Sequence, residues 1–342
     1  MSDFKVNSIT NRSGTSGPVI AGVSTNASSG CMILPKGSTE FRGGYRSRGI
    51  FVSGRADPAA DGRVIDAINI TTTGNAVFYG ESANTSRYGA AVASKTRGVF
   101  ARGWDGSAVQ NNIEFITISN FGNSNDFGDL TLARNQLGGL SNNNRGIFAG
   151  GNPQTNLIDF VTIASHGTNA SDFGDLLLDK QSPSGAASPT RGVFGGGERS
   201  PTYVTSIEYL TINTLGNTLD FGDLITNRRL LMSCSSATRG LFAGGDNTTG
   251  SSQNVIEYIT IATEGDATDF GDMNVRTQGG AATTNSIRAC FAGGQQESPS
   301  FTLTNFIDFV VIATTGNATD FGDLTQARRG LSGFSGSHGG IG

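Results

Sequence analysis

A unit of about 48 residues recurs six times along the chain. Each copy opens on Arg-Gly-aliphatic-Phe, at Arg48, Arg97, Arg145, Arg191 and Arg239, with a degenerate sixth copy, Arg288-Ala289-Cys290-Phe291. Five copies also carry Asp-Phe-Gly-Asp, beginning at Asp126, Asp172, Asp220, Asp269 and Asp320; the first has Phe78 in place of the leading Asp. A repeat of this length is one supersecondary unit. It cannot bury its own faces and must stack on its neighbours.

The fifth copy shows the grammar. Leu230–Cys234 is a short apolar strand, followed by the small polar turn Ser235–Thr238. Arg239–Gly245 reads as a second strand ending in a Gly pair. Asn254–Ile261, rich in β-branched and aromatic residues, is the strongest strand signal, and Asp269–Met273 is a fourth. Four antiparallel strands per unit predict an all-β fold, a six-bladed β-propeller over residues 41–342. The segment Gly330–Ser335 repeats the first strand of a unit that never continues. It is expected to complete the blade that Arg48 begins, and so to close the ring and remove exposed strand edges.

Composition agrees with short strands and tight turns: 50 Gly, and only 15% charged residues. The net charge of −4 argues against a general electrostatic grip on nucleic acid. No apolar run approaches 18 residues and no signal peptide opens the chain, so a soluble protein made in a cytoplasm, without membrane insertion, is expected. The odd cysteine count, Cys31, Cys234 and Cys290, has no metal-like spacing. Cys234 and Cys290 replace small or apolar residues and read as buried thiols.

The apolar strands ending in Gly-Gly (Gly150-Gly151, Gly196-Gly197, Gly244-Gly245, Gly293-Gly294), a third-strand aromatic (Phe115, Phe160, Tyr209, Tyr258, Phe309) and a basic residue after the fourth strand (Arg134, Lys180, Arg228, Arg328) resemble kelch propellers. The usual kelch Trp is absent, and the Phe of Asp-Phe-Gly-Asp stands in its place. The wording of Ile312–Arg328, with the opening Phe4–Arg12, is similar to virion proteins of tailed viruses that infect marine cyanobacteria. This resemblance implies a tail, baseplate or fibre component located in the virion. Residues 1–40 lie outside the repeat and are too few for a core of their own. They read as an attachment or oligomerisation arm that docks on other virion proteins, or as a strap along the propeller. A host-surface glycan and a second copy of the chain are the other partners this reading admits.

Catalysis finds little support. His166 and His338 stand in different repeats, and paired carboxylates recur in every unit, which makes them structural by default. Asp-Phe-Gly occurs in the kinase magnesium motif, but here there is no Gly-rich loop or catalytic loop beside it. No segment has the full ligand spacing of a calcium loop. The expectation is a non-enzymatic protein with no cofactor, no metal and no catalytic residues.

Three sets of residues remain as candidates. Arg48, Arg97, Arg145, Arg191, Arg239 and Arg288 should form a ring, pairing with the first Asp of Asp-Phe-Gly-Asp or converging as an anion site. Asp66, Glu114, Asp159, Glu208, Glu257 and Asp308 should form a second ring on the opposite face, near Arg87, Arg134, Lys180, Arg228 and Arg328, as exposed pairs of small energetic weight. The loops between second and third strands differ from blade to blade, and binding residues commonly sit on such loops. Trp104 with Asp105, Tyr203 and Phe301 lie in them and are the candidates for stacking on sugar rings at the channel mouth.

Overall fold

Both faces of every sheet must be covered when sheets pack radially, so the second strands read as continuous apolar runs rather than alternating ones. The computed structural model describes residues 24–26, 31–33, 47–56, 60–297 and 301–341, in two units, Met1–Gly44 and Tyr45–Gly342. The division falls slightly beyond the boundary expected after residue 40. In the first unit, Ser24–Asn26 and Cys31–Ile33 pair as an antiparallel hairpin. The rest of the predicted docking arm lies outside the described residues.

The second unit is a six-bladed β-propeller. Blade 2 shows the pattern, with strands Ala90–Ala93, Arg97–Ala101, Asn112–Thr117 and Asn125–Asp129 paired in chain order. Blades 3 to 6 repeat it. Blade 1 takes its first strand, Ser332–Ser335, from the far end of the sequence and pairs it with Arg48–Val52, Phe334 opposite Ile50. The predicted ring closure is therefore present. The first strands of neighbouring blades pack against one another in an unbroken circle around the axis. Among the described residues there is no α-helix; a 3-10 turn, Gly339–Ile341, lies at the C-terminal end.

The repeated motifs explain the stacking. The aliphatic and Phe residues of Arg-Gly-aliphatic-Phe, such as Ile147 with Phe148 and Leu241 with Phe242, are wholly buried. Each such side chain contributes about 1.5–3 kcal/mol. The Phe of Asp-Phe-Gly-Asp is buried too, and meets the third-strand aromatic edge-on, as Phe173 meets Phe160 at 6.0 Å between ring centroids.

The Gly that follows has a different task. At Gly174 (φ +144) a Cβ would fall 2.5 Å from the backbone of Gly216 in the next blade. That next blade's turn latches on here. Gly216 N donates to Phe173 O, Thr218 N to Asp175 O, and Asp175 N to the Asn217 side chain. The same latch recurs around the ring and joins blade 6 to blade 1 through Asn75 and Asp323. Each fourth strand is thus capped where it would otherwise offer a free edge.

Candidate functional site

The chain alternates between two ends of the ring. One end carries the turns between first and second strands and between third and fourth. The other carries the second-to-third loops and the connections between blades.

At the first end the six arginines do not converge and do not pair with Asp-Phe-Gly-Asp. Each guanidinium lies near an aromatic ring and donates to carbonyls at the end of the next blade's third strand. Arg97 sits 4.7 Å from the Phe115 ring centre and donates to Ile163 O and Ala164 O, both at 2.8 Å. Arg145 and Arg239 donate likewise to Ile212 O and Ile312 O. Arg288 does so across the closure, to Thr71 O at 3.0 Å, and Arg48 reaches Ile118 O. The leading Asp residues are exposed. The ring is an inter-blade clamp: each arginine commits a guanidinium nitrogen to the carbonyls of the next blade rather than to a shared anion. The spacing could not reveal this, because the acceptors are backbone carbonyls.

At the other end the acidic ring is present but buried, not exposed. Arg134 meets Asp159 at 3.1 Å, Lys180 meets Glu208 at 2.9 Å, Arg228 meets Glu257 at 2.6 Å and Arg328 meets Asp66 at 3.1 Å. Each pair crosses a blade boundary. Burial pulls the four cations below their ordinary pKa, and the carboxylate beside each opposes that shift. The expected member Arg87 is one residue out of register. Ser86 occupies the slot, and Glu114 takes Arg102 of its own blade at 3.8 Å instead. At the boundary of blades 5 and 6 Thr277 fills the slot. Asp308 then has only Asn274, whose backbone N and side chain donate at 2.9 and 2.8 Å, and burial raises its pKa.

The axial channel is narrow. Its upper part encloses about 110 Å³ and its lower part about 60 Å³. A single water needs ~10–15 Å³ on this measure, so the channel has room for a short file of waters but not for a sugar-sized ligand. The C-terminal segment stops its lower end. His338 Nε2 lies 2.9 Å from Ala93 O, and its Nδ1 accepts from Gly340 N. Burial lowers the His338 pKa to about 4.

Around the upper mouth, the residue after each basic slot bridges to the loop of the next blade. Asn135 bridges to Asn152, Gln181 to Glu198, Arg229 to Asp246, Gln278 to Gln295, Arg87 to Trp104 and Arg329 to Arg55. The backbone repeats while the chemistry changes at every boundary. A groove of about 630 Å³ opens here, lined by Tyr88, Arg229, Asp246, Glu297, Phe301 and Arg329 among others. That volume lies within the roughly 300–1,000 Å³ of ligand sites.

Of the predicted aromatics, only Phe301 lines this groove, with 74% of its surface exposed. Tyr203 is half-buried. Its hydroxyl donates to Asp246 at 3.3 Å, and the Arg229 guanidinium lies 4.9 Å from its ring centre. Trp104 is half-buried as well, held between Arg87 and Val109. Asp105 folds its own loop, accepting from Ser107 N and Ala108 N at 2.8 Å, which lowers its pKa. Trp104 and Tyr203 do not present open rings, and Asp105 shapes its own loop. Reasoning from the loops missed Arg55, Arg229 and Arg329, although the paired arginines Arg228-Arg229 and Arg328-Arg329 were a visible signal.

Cys234 and Cys290 are buried free thiols, and burial raises both pKa values. Among the described residues no cluster of three or more His, Cys, Asp or Glu is arranged to hold a metal ion. Among the described residues no helix is long and apolar enough to cross a membrane. No protein-family model matches the chain, and no curated protein matches it.

Proposed function

We propose that the chain is a non-enzymatic structural protein of a tailed-phage virion, associated with tail, baseplate or fibre. In this reading residues 1–40 attach it to other virion proteins, and the propeller presents its loop end to a partner or host-surface glycan. The observation that carries the binding half is the groove at the channel mouth. It is ligand-sized and bears an exposed aromatic, Phe301, on the end where the blades differ in chemistry. The repeated charges elsewhere join neighbouring blades, which favours the groove as the binding site. The virion half rests on the resemblance of Ile312–Arg328 and Phe4–Arg12 to cyanobacterial virus proteins.

The binding half is tested by Phe301→Ala, with glycan adsorption measured beside a melting curve. Loss of one stacked ring is expected to weaken adsorption roughly fivefold to thirtyfold at unchanged melting temperature. Unchanged adsorption at unchanged stability would remove the groove from the account.

A further inference from the structure

The six bridges around the mouth are equivalent positions in one frame, so each is a control for the others. At the fourth boundary the bridging arginine, Arg229, is fully answered. It takes Asp246 at 3.3 Å, pairs with Glu198, and lies near the Tyr203 ring. That slot shows what a guanidinium in this place takes: two carboxylates. At the boundary between blades 6 and 1 the equivalent residue is Arg329, and the residue directly opposite it is Arg55. Side chains directly opposite in an antiparallel pair share a face at about 4.5–5.5 Å between Cβ atoms, and like charges there repel.

Neither arginine forms an ion pair with a described residue. The Nε of Arg329 is buried without a hydrogen-bond partner. The carboxylates that line the same groove are committed elsewhere: Asp246 to Arg229 and Tyr203, and Glu297 to Gln278 and the backbone N of Ser252. In the backbone ladder Asp61 stands opposite Arg55 on its other side.

The geometry points to an oxyanion site formed by Arg55 and Arg329 at the channel mouth. Its ligand supplies what Asp246 and Glu198 supply to Arg229. Planar guanidinium forks match carboxylate, sulfate and phosphate oxygens in bidentate fashion. A repulsive pair kept in an otherwise consistent frame is the kind of local conflict that functional sites retain. The inference deepens the glycan reading and rests on it for the source of the anion. Phe301 lines the same groove as Arg329, so one ligand with an acidic group and a sugar face would meet both.

The experiment is calorimetric titration of the full chain with a glucuronate-containing oligosaccharide, its neutral glucose counterpart, and inorganic sulfate. Each is repeated on Arg329→Gln, Arg55→Gln and Phe301→Ala. Binding of the acidic sugar and not the neutral one, weakened at least tenfold in each Gln variant, is the expected result. Binding of sulfate alone, abolished in the Gln variants, would uphold the oxyanion site while refuting a sugar as its source. Neither Gln substitution should lower the melting temperature, because each relieves a like-charge contact. No anion bound by the parent chain, or binding unchanged in both Gln variants, would overturn the site.

Discussion

Arg228→Thr recreates, at the boundary of blades 4 and 5, the arrangement that Thr277 and Asp308 already hold at the next boundary. In the parent, Arg228 gives Glu257 a hydrogen-bonded contact at 2.6 Å and also donates to Gly244 O at 2.6 Å. Both side chains of the pair are fully buried. Removing the cation leaves Glu257 with Ile225 N at 2.9 Å and the Thr226 hydroxyl at 3.3 Å. Breaking one partner out of a buried pair costs about 3–5 kcal/mol. Denaturant unfolding of parent and variant at pH 7 measures it. A penalty below about 1 kcal/mol would refute the claim that buried pairs hold the blades together.

Three further predictions follow from the frame. Gly98→Ala places a Cβ 1.8 Å from the Phe334 ring, so the closing strand should be expelled, with unfolding or aggregation in a melting scan; an unchanged melt would contradict the closure. Asn75→Ala removes the side-chain acceptor for Asp323 N at the closing boundary and should cost about 1 kcal/mol, read from the denaturation midpoint. His338 is held neutral, its pKa lowered to about 4 from 6.5. The unfolded or undocked segment binds the proton more readily, so docking is fully present above about pH 6.5 and is lost as pH falls towards 4, by at most roughly 3 kcal/mol. Hydrogen exchange across residues 332–341 should rise in that window in the parent and not in His338→Phe.

Much of the frame was legible because one unit is written six times. Strand order, blade count and closure by Ser332–Ser335 follow from the repeat alone. What the repeat hides is the partner of each repeated group. The arginines of Arg-Gly-aliphatic-Phe meet carbonyls, which have no letter in the sequence, so a nearby Asp looked like the answer. The acidic ring was correctly placed, but its burial depends on the neighbouring blade covering it. Ser86 breaks the pattern by one residue, which makes Arg87 read as a ring member, whereas Arg102, just past the second strand of its blade, meets Glu114. Trp104 and Tyr203 drew notice as rare aromatics, yet their surroundings turn them inward. Only Phe301 remained open. Arg55 and Arg329 come together across 274 residues of chain, a juxtaposition that only ring closure creates.

The most direct test of the functional account is amine-specific cross-linking of purified virus particles, read by mass spectrometry. The chain has four lysines. Lys5 and Lys36 lie in the N-terminal unit, Lys95 is at the turn end of blade 2, and Lys180 is buried. The account predicts that the chain is present and that Lys5 and Lys36 carry the links to other virion proteins. Particles that lack the chain, or links to other proteins confined to Lys95, would contradict it.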